Sequence, residues 1–512
     1  MKDAMSVSSL AESISSRWRT NKRECLIFLA IACAALVLLL ANLGNQYLWA
    51  DEAQTALVSK TILTYGVPRG YDGKNFFTQE EGAEFGKNYI WRWHTWLPFY
   101  VVAGFYKVFG INAFTSRLPF ALFGFGTVLL TYFFARALWP GGRIPAIASG
   151  LLAISVPFLL LSRQCRYYSA ATFFSMLSLY AYVALLQRKK HAAVTLFVAS
   201  TLLFHSLHIY IAVLFAALFL HAVIFHRDRL KPLIIVFTLT VLFNAPWLIW
   251  MGGMNYAHPF LRLQHRFILY QFSKRYVEYI VSYVFPVWLL ALAFVAAVVK
   301  FFKARYSFKQ GWSFLEKASL PVFFIIFNIV VIAVVAPPTF FRYLAPAIPL
   351  VIMLIAIIVD AVADIHLLLA VATAVVLIAT SQLKDYFYEI THDYDGPEEG
   401  IARYLNEHGS PEDVVAANRG EMSLKFHTGM KVVGGYKGDD LEAARNARWI
   451  VISKDSGGRL VEYLSSNISW DRYRKIELNY PDIAWENRED PGEHLFRTST
   501  TAEKVVIYER IN

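Results

Sequence analysis

The sequence is poor in charge and in cysteine, and both shortages exclude large classes of protein. Only 17% of its 512 residues are charged while 56% are hydrophobic, against roughly 25% charged in an ordinary soluble domain. Mean hydropathy is +0.42. The three cysteines, Cys25, Cys33 and Cys165, are an odd number, and two of them share one apolar run. Neither a disulfide framework nor a zinc site is built that way, so the expectation is three small buried hydrophobes. No Gly-rich phosphate loop, internal repeat or low-complexity tract is present, which removes nucleotide-cradling and repeat architectures from consideration.

What is present in quantity is long apolar runs. The hydrocarbon core of a bilayer is about 30 Å thick and needs about 20 apolar residues in a helix. Such runs fall at about 25–45, 116–137, 145–162, 169–187, 192–208, 209–226, 232–252, 279–300, 318–337, 343–360 and 366–382. The expected fold class is therefore mainly α, a polytopic membrane protein with about eleven spans. The apolar run after "RWRTNKRE" is too long for a signal-peptide core and is expected to be a retained first span.

The net charge of +11 invites a nucleic-acid reading, but its distribution argues against one. Residues 1–395 carry 33 Lys+Arg against 18 Asp+Glu, and residues 396–512 carry 16 against 20. The positive excess sits in short loops between spans, as membrane orientation requires, and no nucleic-acid motif accompanies it. The shorter segment "LPFYVVAGFYKVFG" (Leu97–Gly110) is taken as an interfacial helix, because that choice aligns Arg17, Arg136, Arg188, Arg227 and Lys300 with their basic neighbours on the cytoplasmic side. Three parts follow: a cytoplasmic segment 1–24, a membrane domain 25–382 with a large first outer loop 46–115, and a C-terminal part 383–512. Within the last, "DVVAAN", "RWIVIS" and "EKVVIYERI" have strand character while "EEGIARYLNEHG", "GDDLEAARNA" and "GGRLVEYLSSN" have helical spacing, so a small extracytoplasmic α/β domain is expected.

The unusual chemistry gathers on the outward side. The run Cys25–Ala50 has no charge and ends in an acid pair, Asp51 and Glu52, followed by a loop ending in "NYIWRWHTW" (Asn88–Trp96). An ionisable group at a protein-lined membrane boundary is a functional candidate. A carboxylate there can take a proton from an attacking hydroxyl, and a departing phosphate needs cations. Arg163, Arg166, Arg262, Arg266, Lys274, Arg275 and Arg342 face the same side.

"LWADEA", "HTWLPFYVVAGFYKVFG", "SRLPFALFGFGTVLLTY", "SRQCRYYS" and "FRYLAPAIPL", in this order and sidedness, resemble integral-membrane glycosyltransferases of the C superfold. The likeness is above all to the bacterial branch related to protein O-mannosyltransferases and lipid A aminoarabinose transferases, and it covers residues 25–350. It implies an inverting transfer, at the outer membrane surface, of a sugar from a polyprenyl-phosphate donor to a lipid, glycan or protein acceptor. It makes Asp51 the catalytic carboxylate and Glu52 the adjacent acid, orienting acceptor or sugar. His94 stands where relatives have a histidine before two prolines, although this chain reads "HTWLP". The second outer loop, "SRQCRYYS", lacks the acid that several relatives carry, which weighs against a two-carboxylate or metal-dependent mechanism. No cofactor is implied.

The remaining candidates each have a bland rival. Arg166, Tyr167 and Tyr168 are substrate contacts or headgroup anchors. His205 and His208, three apart, make polar packing or touch substrate, with too few partners for a metal. Arg342, next to Tyr343, binds phosphate or snorkels, and the stretch with Arg262 faces the donor or lipid phosphate in general. Trp91, Trp93 and Trp96 are an aromatic belt or a sugar platform. A transporter of lipid-linked sugar is the rival class, but such proteins show repeats and midplane charges, whereas the acids here lie at the outer edge. The C-terminal domain either covers the site or stabilises the assembly.

Overall fold

A computed structural model describes residues 22–80, 82–252, 266–303, 308–335, 338–434, 441–453, 458–483, 490–498 and 503–511. Each of the eleven apolar stretches coincides with helix. Among the described residues six helices are long and apolar enough to cross a membrane: Lys22–Leu40, Ala113–Leu138, Tyr168–Leu186, Arg227–Met251, Gly311–Val335 and Phe341–Ala363. Counting each bent pair as one span raises the number to nine, while Ala192–Ser206 and Tyr210–Phe225 are shorter. By length and composition six to nine spans pass among the described residues, and the two shorter apolar helices stand beside them at the expected positions.

The bends have local causes. Ile144–Ala153 and Val156–Ser162 meet at 62°, where Ser155 is extended and Pro157 opens the second helix; proline supplies no N–H to continue the first. The expected span 279–300 is instead two helices, Ile268–Tyr283 and Trp288–Phe302, bent by 80° around Pro286. Much of what the sequence suggests is an outer loop before Tyr279 is therefore helical.

The first outer loop is also more ordered than its composition suggests. Its opening segment, Ala50–Tyr65, is a helix that ends at Gly66, whose φ of 72° is the left-handed value glycine adopts freely. Three isolated bridges, Arg69 to Ile90, Tyr71 to Phe76 and Phe85 to Trp91, fold the middle of the loop back on itself. Leu97–Phe109 then returns as a short helix with Pro98 in its first turn.

The C-terminal domain holds a five-stranded sheet of order β2-β1-β3-β5-β4, with β1 Val414–Ala417, β2 Lys431–Gly434, β3 Trp449–Val451, β4 Tyr473–Pro481 and β5 Lys504–Arg510. The first three strands are parallel and β5 runs antiparallel to β3 and β4. β2 and β4 add to the three strands evident in the sequence, and Leu441–Asn446 forms a 3-10 turn rather than an α-helix.

This domain docks on the first outer loop. Met422, on the helix Glu421–His427, shares a buried cluster with Ala53, Ala56, Leu57, Phe77 and Trp91. His427 stacks on Tyr47 at 3.7 Å between ring centroids and accepts the Leu48 N–H. Asn75 donates to the Met430 carbonyl and accepts from the Val432 N–H, so it extends the edge of β2. The domain therefore backs the helix that begins with the acid pair. Met422→Ala is expected to leave a cavity there and destabilise the assembly by roughly 2–5 kcal/mol, measured as a lower thermal midpoint in detergent; an unchanged midpoint would show the two parts to be independent.

Candidate active site

Asp51 and Glu52 lie in the first turn of Ala50–Tyr65, where the positive end of the helix dipole favours carboxylates. Successive residues on a helix point about 100° apart, and the two acids consequently have different neighbours. Asp51 is 7% exposed. Its Oδ2 lies 3.2 Å from Arg166 Nη2 and 3.2 Å from Arg342 Nη1. Arg166 also donates through Nη1 to the Asp51 carbonyl and, at 2.9 Å, to Thr55 Oγ1 one turn along the same helix. Burial pushes the Asp51 carboxyl up, but Arg166, Arg342 and the Gln79 amide together outweigh it and hold it below its ordinary value.

Around this trio stand several more of the residues singled out above. The His94 ring lies 5.2 Å from Tyr167 and 6.0 Å from Trp91, and the Arg166 guanidinium covers Tyr167 at 5.2 Å. Tyr168 is fully buried and directs its hydroxyl to that of Tyr167 at 3.5 Å. Arg342 lies 4.0 Å over Phe340 and 5.9 Å from Tyr343, while the Tyr343 carbonyl accepts from Tyr210. Burial, then Arg166 and His208, keep His94 well below its ordinary pKa, hence neutral. Trp91 Nε1, His94 Nδ1, Thr95 Oγ1, Arg166 Nε and His208 Nδ1 are buried atoms with no hydrogen-bond partner among the described residues. Buried polar atoms are normally paired, and so many unpaired ones mark a place built to receive polar groups.

Glu52 is different. It is fully buried, and Arg117 grips it through Nε at 2.8 Å and Nη2 at 2.6 Å while the Cys165 N–H donates to it at 2.6 Å. With both oxygens engaged, the geometry makes Glu52 a positioning residue in place of the expected substrate contact. Arg163 is corrected too, because its guanidinium donates to the carbonyls of Leu38, Leu39, Ala41 and Asn42 and so caps the end of the first span. Lys274 and Arg275 are exposed and pair with Glu278 at 3.7 and 3.5 Å. His205 packs on Trp247, with ring centroids 5.3 Å apart, rather than on Asp51. Arg262 lies outside the described residues. Of the cysteines, only Cys165 is buried; Cys25 is half-buried and Cys33 exposed.

Arg117, Thr55, Gln79 and Thr95 are the members that sequence reasoning missed. Arg117 lies inside "SRLPF", a stretch quoted above for its resemblance alone, and an uncompensated arginine opening an apolar run was the available signal. Among the described residues no three of His, Cys, Asp and Glu are grouped to hold a metal.

Fold and site together define a polytopic membrane protein with a buried acid–arginine cluster between its first long loop and its helical bundle. Two solved structures share the fold: ArnT from Cupriavidus metallidurans in the apo state, with a TM-score of 0.58 and 15% identity over 96% of this chain and 98% of that one, and the same protein bound to undecaprenyl phosphate, with 0.55 and 14% over 94% and 97%. An uncharacterized protein of Aquifex aeolicus (strain VF5) is 29% identical over 164 residues, which is 32% of this chain and 30% of that protein. This chain therefore covers less than a third of that relative's length. No family model matches.

Two outcomes test the site's electrostatics. Glu52→Gln leaves a buried guanidinium without its counter-charge and is expected to destabilise the protein by roughly 3–5 kcal/mol, read as a fall in thermal midpoint. A histidine held neutral by burial contributes stability that is complete above its unfolded pKa of about 6.5 and is lost as pH falls towards its depressed folded value. His94, and His427 whose pKa burial pushes down to about 3, thus lower stability by up to about 1.4 kcal/mol per pH unit each below that point. Asp51, depressed instead, adds no slope between pH 5 and 8. The midpoint of His94→Gln is expected to fall less than that of the parent between pH 7.5 and 5; parallel curves would refute the assignment.

Proposed function

We propose that this chain is an inverting glycosyltransferase that moves a sugar from a polyprenyl-phosphate donor to an acceptor on the face carrying the C-terminal domain. The observation that carries this reading is the convergence of Arg166 and Arg342 on Asp51, each at 3.2 Å. Two guanidiniums that converge at one point present paired N–H donors, the geometry that grips a phosphate and stabilises it as charge builds on it. The solved relative bound to undecaprenyl phosphate supports a lipid-borne phosphate as that anion.

The chemistry follows from the charges. Donor phosphate meets Arg166 and Arg342 and draws them from Asp51, whose carboxylate then loses part of what kept it a weak base. The acceptor hydroxyl attacks the anomeric carbon opposite the phosphate, its proton passes to Asp51, and the carbon–oxygen bond to phosphate breaks with inversion. The arginines stabilise the charge that builds on the departing polyprenyl phosphate. An acceptor that is itself ionised needs no such proton transfer, and Asp51 then orients it. His94, Tyr167, Tyr168, His208 and Tyr343 line the sugar's surroundings, and no cofactor takes part. The positive-inside pattern supports an outward-facing site, on this reading the periplasmic face of a bacterial inner membrane, with a surface glycan, lipid A or protein as acceptor.

Purified Asp51→Asn in proteoliposomes is expected to insert with a lower thermal midpoint, because buried Arg166 loses its counter-charge, and, measured below that midpoint, to lose transfer by roughly a hundredfold or more. Arg342→Gln is expected to weaken donor use. Normal turnover by Asp51→Asn would sink the assignment, and movement of lipid-linked sugar across the bilayer without acceptor would establish a transporter instead.

A further inference from the structure

The tryptophans at the end of the first outer loop do not behave as one group. Trp91 is fully buried beside Phe99 and His94. Trp96 instead meets two tryptophans from the far end of the helix Leu230–Met251: Trp247 at 4.9 Å and 87°, and Trp250 at 5.2 Å and 88°. Trp247 and Trp250 are themselves 5.2 Å apart. All three are half-buried. Arg92 lays its guanidinium 4.9 Å over the Trp250 ring, and His205 closes the other flank against Trp247 at 5.3 Å.

An aromatic belt does not account for this. Interfacial tryptophans anchor a protein by presenting their N–H to headgroups and water. Here the Trp96 N–H is given to the Trp91 carbonyl at 3.0 Å and the Trp247 N–H to the Met251 sulfur at 2.7 Å. Edge-to-face packing fixes the rings, and the half-buried indoles keep part of their surface, the kind that stacks on a pyranose, open. Nearly one turn into the helix from Trp247, Asn244 is buried.

The cluster also adjoins the Asp51 chamber through two short connections. Trp96 is two residues from His94, which touches Tyr167, and Trp91, whose carbonyl takes the Trp96 N–H, packs on the His94 ring at 6.0 Å. We propose that Trp96, Trp247 and Trp250, with Arg92 and His205 at their margin, form a saccharide-binding platform that holds an anionic sugar of the acceptor beside the Asp51 chamber. The aromatic faces take the ring, and the guanidinium takes a carboxylate or phosphate on it. That the sugar belongs to the acceptor rests on the glycosyltransferase reading; that a sugar binds here does not.

Saturation-transfer NMR on the full chain in nanodiscs tests the platform without turnover, using glucuronic acid, glucose 1-phosphate, glucose, inorganic phosphate and a Ser/Thr peptide as probes. The two charged sugars are expected to give the strongest ring-proton signals, reduced roughly fivefold by Trp247→Ala. Arg92→Gln is expected to bring both down to the level of neutral glucose. The milder Trp250→Phe keeps the packing and reports on the platform if the alanine variant fails to fold. Signals that survive both tryptophan changes, displacement of the sugars by inorganic phosphate alone, or preferential binding of the peptide would each overturn the proposal. Asp51→Asn should leave these signals intact. If the parent chain shows no transfer while these signals persist, the glycosyltransferase reading falls and the sugar platform stands.

Discussion

The Glu52–Arg117 pair sets the geometry of everything around it. A guanidinium has five N–H donors, and Arg117 spends all five inside the protein: two on Glu52, and three on the carbonyls of Leu43, Gln46 and Tyr47. Those carbonyls belong to the chain as it leaves the first span, while Arg117 itself belongs to the helix Ala113–Leu138. Glu52 then takes the Cys165 N–H, which fixes the turn that bears Arg166. One buried ion pair thus joins three segments distant in sequence. Charges are expensive to bury unless paired and fully hydrogen-bonded, so the pairing leaves little freedom in where Asp51, one residue earlier, can point.

Asp51 inherits a setting with the opposite character. Where Glu52 is saturated, Asp51 has two arginines on one oxygen, and unpaired polar atoms stand around it. Neutral histidines add no charge to offset. The contrast between adjacent acids is the difference between a closed structural joint and an incompletely paired polar cluster, produced by nothing more than the angular step between helical neighbours.

Much of this was legible in the sequence. Hydropathy located the apolar segments, composition located the soluble C-terminal domain, and the scarcity of charge made Asp51, Arg166 and Arg342 conspicuous. What hydropathy does not encode is the direction of a side chain or the position of a break. The bend at Pro286 sits inside a continuous apolar pattern, and the helix Ala50–Tyr65 has no apolar periodicity because nearly its whole circumference is buried. Glu52 and Asp51 look equivalent in a string, since only the partner of each, Arg117 or Arg166, tells them apart. Arg163 and Arg166 likewise share a motif, yet one caps carbonyls and the other meets a carboxylate.

The C-terminal domain is best understood through the same long-range couplings. Its helix Glu421–His427 closes the back of the Asp51 helix with Met422 and His427, and Lys425 donates to the Phe76 carbonyl. Further round, His494 meets Glu389 in a buried pair that ties the 490–498 segment to the helix Leu383–Thr391. Tyr386 of that helix donates to the Leu38 carbonyl, close to the carbonyls that Arg163 caps. The domain therefore grips the outer end of the first span at one point and the Asp51 helix at another. A wall attached at both places holds the acid pair in register with the bundle, and on that argument the domain contributes to the site by fixing its back.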